Sequence, residues 1–335
     1  GRCNPISASE YVASKTGSKR LVYERALRNL RDRPRSLGDL ARLSFFVKRE
    51  ATCWSKRQVP RIISPRSPEF NILLGKYLKP IEHVVYGALA QLVGSALPVI
   101  AKGLTQQQKA AVIVDKFEEY GLCIGLDASR FDQHIRAELL EVEHSIYRGV
   151  FEHDPKLCAL LSEQLRVRGS GRAVDGKVSY TGPAMRCSGD VNTSLGNCII
   201  TGLLATLFLQ EHGIKGTYFA DGDDCLLFVP PAALPLLEGL PMWYKRYGLT
   251  MKVEDPARAI EQIEFCQSRV VWDGDAYNLV RSPFKVLNTT GFVPYKLTEN
   301  QFLAHCRAIG LCGLTIAAGV PILQPFYSLL VRDRS

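Results

Sequence analysis

Apolar positions recur along this chain with two different periods, and the period changes mark its elements. Between Lys19 and Pro34, Leu21, Val22, Ala26, Leu27 and Leu30 fall at helical spacing against an arginine-rich face, so a helix is expected there, stopped by Pro34. Leu43–Lys48 and Pro60–Ser64 read as two strands joined by a polar loop, with Lys48, Arg49, Lys56, Arg57, Arg61 and Arg66 converging along one hairpin. The stretch "EFNILLGKYLKPIEHVVYGAL" reads as a helix carrying Lys76 and Lys79, and Gln106–Tyr120 as another. The apolar run Leu122–Leu126 reads as a buried strand ending at Asp127, with helix from Phe131 through "AELLEVEHSIYRGVF". A strand or two, a Ser/Gly loop and a long apolar helix from about Asp190 to His212 follow. "GTYFA" and "CLLFV" form a β-hairpin with Asp221, Asp223 and Asp224 around its turn. Beyond it come a helix around Ala233–Tyr247, the strand "LTMKVE", a strand pair in "IEFCQSRVVWDGDAYNLV" and a mainly helical end. β and α elements mixed with antiparallel hairpins predict an α+β fold, a sheet with helices on one side, over a doubly wound parallel sheet.

The uncharged segment Ala308–Val331 is long enough to span a bilayer, but glycines at 310, 313 and 319 and prolines at 321 and 325 interrupt it. Buried helix-turn-helix packing is the expectation, and no membrane span is assigned to the chain. Composition changes the picture in one respect. The chain of 335 residues is 46% hydrophobic and 22% charged, which excludes a disordered or low-complexity protein. Its formal charge of +9 is concentrated at the front, where residues 1–80 hold 18 Lys and Arg against 6 Asp and Glu. A polyanion meeting a basic N-terminal surface follows. Ten scattered cysteines without paired zinc-type spacing fit reduced thiols. No secretory signal opens the chain, which begins at Gly1 and is read as an excised domain or processed product.

The three carboxylates between apolar flanks raise the chemical question, because like charges crowded at a turn resist ionising together and call for a cation. Asp223 and Asp224 on the hairpin, with Asp127 on a strand end, converge if the strands neighbour one another in one sheet. Such hard oxygen donors suit Mg²⁺, or Mn²⁺ in its place, and paired ions of that kind serve in-line displacement at phosphorus. A Gly-Asp-Asp turn by itself is also an ordinary turn sequence; its apolar flanks place it at the end of a core sheet. Asp221 is read as turn-forming or solvated. Asp132, one turn into the following segment, either accepts a ribose hydroxyl or caps its helix. In "CSGDVNTSLGN", Ser188 and Gly189 form a loop, while Asp190, Thr193 and Asn197 share a helix face; Asp190 is a candidate cap, and a buried Asn197 needs partners. Lys48, Arg61 and Arg57 or Lys56 are candidates for binding a triphosphate.

The order of these motifs resembles that of viral RNA-dependent RNA polymerases. A basic hairpin, "DASRFD", "SGDVNTSLGN", "GDD", "KVED" and "FCQS" follow one another as the lettered motifs of that family do, and the wording is especially similar to the tombusvirus-like (Tombusviridae) polymerases of plus-strand RNA viruses. The resemblance implies a right-handed fingers–palm–thumb fold with an antiparallel palm sheet: fingers over 1–115, palm over 116–268 with a fingers insertion at about 148–180, and a compact helical thumb over 269–335. It implies that Asp127, Asp223 and Asp224 are the catalytic metal ligands. Asp132, Ser188, Gly189, Thr193 and Asn197 then meet the incoming nucleotide, and Lys48, Arg57 and Arg61 its triphosphate. Cys266 and Gln267 lie at the primer grip, and Lys252, with Lys245 as a rival, is the general acid to pyrophosphate. Single-stranded RNA template, nascent RNA and NTPs are the implied partners, with other viral replication proteins or an upstream membrane-targeting region tethering the chain to replication complexes in the host cytoplasm. Asp221 stands where relatives often show Asn. A reverse transcriptase shares the palm logic but fits Asp132 and Asn197 less well, and an RNA-binding shell without turnover is at odds with three intact aspartates.

Overall fold

The computed structural model describes residues 3–49, 59–173 and 175–332. Three helices, α1 (Ala8–Ala13), α2 (Gly17–Asp32) and α3 (Leu37–Leu40), precede strands β1 (Leu43–Val47) and β2 (Ile62–Ile63). α2 ends at Asp32, because the residue before a proline is pushed out of helical geometry: Arg33 has φ −140° and ψ 70°. The single helix expected after Ser67 is two, α4 (Pro68–Leu78) and α5 (Glu82–Leu92), divided around Pro80, which lacks the N–H that an unbroken helix would use. α6 (Gln106–Tyr120) starts on a reciprocal Thr105/Gln108 cap and stops at Gly121, whose φ of 80° turns the chain into β3 (Leu122–Ala128).

The helix expected from Phe131 is also two, α7 (Phe131–His134) and α8 (Ala137–Val150), separated by an extended Ile135. α9 (Pro155–Gln164), the hairpin β4 (Val167–Ala173) and β5 (Gly176–Gly182), α10 (Thr193–Glu211), β6 (Thr217–Asp221) and β7 (Asp224–Val229) follow. The helix expected around 233–247 begins as a tighter 3₁₀ turn over Pro231–Leu237, with Pro235 inside it, and becomes α11 (Leu240–Lys245) only afterwards. The chain continues with β8 (Met251–Val253), β9 (Glu264–Phe265), β10 (Ser268–Trp272), β11 (Tyr277–Arg281), α12 (Pro283–Thr289), α13 (Glu299–Ala317) and α14 (Leu323–Val331).

A four-stranded antiparallel sheet, ordered β6-β7-β3-β8, holds the centre. Its strands are apolar at consecutive positions, so both faces must be covered. Ile124, Leu126, Tyr218 and Leu227 pack with α10, whereas Cys123, Phe219, Leu226 and Phe228 pack with Ile113 of α6 and with Phe265, Val270 and Leu279 of the small sheet β11-β10-β9. The one-sided arrangement of helices is therefore corrected to a two-sided one.

The basic hairpin belongs to a larger sheet, ordered β2-β1-β4-β5, in which β1 pairs antiparallel with β2 and parallel with β4 far along the chain. Gly171 permits that pairing: a Cβ there would lie 2.4 Å from the Phe45 ring. Near the C-terminus, the 308–331 segment is broken into α13 and α14, which close on each other at Gly310 and Gly313 under Tyr327. Leu311, Ile316 and Leu329 remain exposed, so this pair is a surface helix-turn-helix and not the buried one expected. Among the described residues α10 is the one helix long and apolar enough to cross a membrane, and 72% of that apolar stretch is buried in the core.

Candidate active site

Two neighbouring strands bring the aspartates to one end of the central sheet. In the β3/β7 register Leu126 faces Cys225, and one further step sets Asp127 opposite Asp224. Asp221 faces Asp224 across a two-residue turn, where Gly222 supplies the positive φ (78°) that such turns need. The Gly222 N–H donates to the Cys198 Sγ over 3.3 Å, pinning the turn to α10. All three of Asp127, Asp223 and Asp224 reach solvent.

Electrostatics follow from this crowding. Burial among surrounding groups, reinforced by the charges of Asp224, Asp132 and Asp127, pushes the Asp223 carboxyl up to about 6. Asp224 is also raised, by burial first and then by Asp127 and Asp221, against the lowering effect of a hydrogen bond with Cys266 and of the Lys102 charge. Such mutual repulsion is what a divalent cation relieves, and carboxylate oxygens are the donors Mg²⁺ takes, so the residues present fit a magnesium site in kind. Among the described residues no three of His, Cys, Asp or Glu are gathered closely enough to enclose one ion by themselves. Mg²⁺ normally retains waters and substrate oxygens, so a full protein cage is not required.

The cations expected beside the turn are Lys102 and Lys109, which the sequence reading missed. Backbone bonds Ala220 N–H to Val99 O (2.9 Å) and Ala101 N–H to Ala220 O (2.8 Å) lay residues 99–101 along β6 and deliver Lys102 to Asp221. Lys102 pairs with one oxygen of Asp221 and Lys109 Nζ with the other at 3.1 Å. Burial alone would raise the Asp221 carboxyl, but the two ammonium groups outweigh it and hold it below the usual range. Asp221 is thus a clamped anion, neither solvated nor free.

On the other side of the turn, Asp132 accepts from Asn197 Nδ2 at 2.9 Å and from Ser188 Oγ. Behind Asn197 lies a buried polar chain. Arg186 Nε donates to Asn197 Oδ1 (3.0 Å) while its Nη2 pairs with Glu143, which also accepts from Asn192 Nδ2 (2.7 Å) and Tyr147 Oη (2.8 Å). Thr193 donates to the Cys187 carbonyl at 3.0 Å, so it holds the loop and does not join Asp132. Asp190 is not the helix cap expected; Asn192 occupies that position, and Asp190 pairs with buried Arg66 at 3.0 Å. Arg66 is therefore a core residue and not part of the basic hairpin surface. Gly189, at φ 111°, continues the loop, and Ser64 N–H donates to the Ser188 carbonyl (2.7 Å), tying it to the N-terminal sheet.

Lys48 and Arg61 meet at the end of the β1/β2 pair through Lys48 N–H to Arg61 O at 2.8 Å. Lys56 and Arg57 lie outside the described residues. Lys252 is registered directly beside Asp127, whereas Lys245 closes α11. A cavity of about 220 Å³ is lined by Asp127, Asp224, Glu254, Glu264, Cys266 and Gln267. Cys266 and Gln267 form the turn between β9 and β10 with φ of 50° and 62°, a left-handed geometry that costs side-chain-bearing residues about 1–2 kcal/mol each. Strain of that kind gathers where a side chain must be aimed.

The whole chain, residues 1–335, matches the family model described as viral RNA dependent RNA polymerase. It is 38% identical over 338 residues to the RNA-directed RNA polymerase of Tobacco necrosis virus (strain A), covering 98% of this chain and 46% of that protein. Identity is 37% over 339 residues to the RNA-directed RNA polymerases of Turnip crinkle virus and Maize chlorotic mottle virus, in each case over 99% of this chain and over 43% and 35% of those proteins. The chain spans less than half the length of these relatives.

Proposed function

The chain belongs to the viral RNA-dependent RNA polymerases, and from that premise we propose that it carries template-directed RNA synthesis for a plus-strand RNA virus. The observation that supports this most is the meeting of Asp127 and Asp224 at the end of the central sheet, with Asp223 beside them in the hairpin turn. Residues 116–268 act as the palm, with a fingers insertion at about 148–180, residues 1–115 as fingers, and residues 269–335 as a compact thumb. Asp127, Asp223 and Asp224 hold Mg²⁺, or Mn²⁺ in its place. Bound there, the metal supplies activation of the attacking 3′ hydroxyl and charge neutralisation at the α-phosphate.

The chain's own residues position the reactants. Asp132, released in part from Asn197 and Ser188, accepts a ribose hydroxyl, and Asn197 reads the same sugar. Ser188 and Gly189 let the nucleotide and template settle, while Thr193 keeps that loop attached to its helix. Lys48, Arg57 and Arg61 hold the triphosphate. The Cys266–Gln267 turn seats the 3′ end of the product strand beside Asp224. Lys252, next to Asp127 in register, gives its proton to the departing pyrophosphate. Single-stranded RNA and NTPs are the substrates. The chain works in the host cytoplasm, brought to membrane-associated replication complexes by other viral proteins or by an upstream region of a longer protein.

The test is templating itself. Defined RNA templates that differ at one base are copied with the four ribonucleotides, and the reading predicts products complementary to each template and preferred over deoxynucleotide products. Nucleotide addition that ignores the template would count against it.

A further inference from the structure

Away from the aspartates, strands β4 and β5 carry a second chemically organised surface. Side chains alternate along a strand, so residues 168, 170 and 172 share one face of the sheet with their cross-strand partners 181, 179 and 177. The opposite face is apolar, with Phe45 against Tyr180 at 5.3 Å and Gly169 leaving room for Leu43; it is buried at Leu43 and Val167, while Val178 and Tyr180 of β5 stay exposed. On β4 and β5 the first face bears cations and hydroxyls, Arg168 opposite Thr181, Ser170 opposite Ser179 and Arg172 opposite Lys177, and the neighbouring β1 adds Ser44 and the exposed Phe46 to it. Arg42, just before β1, joins them at a hollow of about 290 Å³ that Arg168, Ser170, Lys177, Ser179 and Thr181 also line.

Two features mark this face as built for an anion. Like charges directly opposite on neighbouring strands repel, yet Arg172 and Lys177 are so placed. The nearby carboxylate Glu163 is engaged by Arg166 at 3.2 Å and Arg168 at 3.1 Å. Among the described residues no carboxylate pairs with Arg42, Arg172 or Lys177. Hydroxyl donors between cations on an exposed pair of strands suit successive phosphates of a strand.

We propose that this face, centred on Arg42, Arg172 and Lys177, is a binding site for the phosphodiester backbone of single-stranded RNA, separate from the catalytic hollow. The polymerase reading supplies only the identity of the anion. RNA held here tracks the N-terminal sheet, whose link to the nucleotide loop is the Ser64 to Ser188 bond.

The experiment measures binding of a labelled single-stranded RNA oligomer across a salt series, for the parent chain and for the combined Arg42→Ala, Arg172→Ala and Lys177→Ala variant. Each lost phosphate contact removes about 0.7 from the slope of log affinity against log salt, so the slope should fall by about 2 and the affinity at low salt by roughly tenfold or more. The combined Arg42→Lys and Arg172→Lys variant should keep most of the slope, and all variants should melt like the parent. Nucleoside triphosphate forms the second arm: at saturating template its KM should be unchanged. Unaltered RNA affinity and slope would overturn the proposal, and so would a raised triphosphate KM with RNA binding intact, which would mark a site for free nucleotide. Because binding is read without catalysis, a chain that makes no RNA yet loses affinity in the variant would sustain this site while the polymerase reading fails.

Discussion

Asn197 donates from Nδ2 to Asp132 Oδ1 over 2.9 Å, and the amide is held in that orientation because Arg186 Nε donates to its Oδ1 at 3.0 Å. A flipped amide would set two donors against the guanidinium, which has no acceptor to offer. The pair proposed to meet the sugar is thus oriented from behind by a buried arginine.

Sugar discrimination should therefore depend on this pair. A hydrogen bond to a charged group is worth about 1.5–3 kcal/mol, so Asp132→Asn or Asn197→Ala should lower the preference for ribonucleotides over deoxynucleotides by roughly ten- to a hundredfold. Competition between NTP and dNTP on one template measures it. An unchanged ratio would remove Asp132 and Asn197 from sugar recognition.

The support behind Asn197 should be costly to break. Removing one partner of a buried ion pair costs roughly 3–5 kcal/mol, which is the expected loss for Arg186→Ala in denaturant unfolding. Gly196→Ala strikes the same place from the helix side, since its Cβ would lie 2.3 Å from Glu143 Oε2, and should cost about 1–3 kcal/mol.

Lys116 gives stability a distinct pH dependence. It is fully buried, donates to Ser95 Oγ (2.9 Å) and Thr217 Oγ1 (3.1 Å), and burial pushes its ammonium down to about 8 from 10.5, against a small opposing effect of Glu119. Between those values the unfolded chain binds the proton more readily, so this residue's contribution makes stability rise with pH from about 8 to 10.5. Below about 8 both states are protonated and the full penalty, roughly 3 kcal/mol, applies. Urea unfolding across that range should show the rise in the parent relative to Lys116→Met. Parallel profiles for the two proteins would contradict it.

The left-handed turn at Cys266 and Gln267 should trade stability for activity. Asn and Gly accept such geometry, so the combined Cys266→Asn and Gln267→Gly variant should be more stable in urea unfolding, by about 1–3 kcal/mol, and extend RNA more slowly. A variant that is both more stable and as fast would show that these side chains do not seat the product strand.

Much of the site was legible because its chemistry sits where apolar runs end. The strands 122–128 and 217–229 announce a buried hairpin and its neighbour, and the antiparallel register then brings Asp127 to Asp224. Boundaries failed at prolines and at caps: Pro80 divides a helix read as one, and Asn192 holds the cap position given to Asp190. What the sequence does not display are partners distant along the chain. Arg66 reaches Asp190 across 124 positions and Lys109 reaches Asp221 across 112, so neither leaves a local pattern. Glu143 and Arg186 carried one signal, charged residues amid helical and loop segments rich in apolar neighbours, but burial had to be seen for it to mean pairing. The one-sided sheet failed for a similar reason, since a continuous apolar strand says that both faces are covered without naming the cover.

The most direct test is ribonucleotide incorporation on a single-stranded RNA template with Mg²⁺, comparing the parent with Asp223→Ala and Asp224→Ala after RNA binding has been matched. Template-length product from the parent, with none from either variant at equal RNA occupancy, is the predicted result. Incorporation by the variants at the parental rate would contradict the assignment of the aspartates at the sheet end as the seat of catalysis.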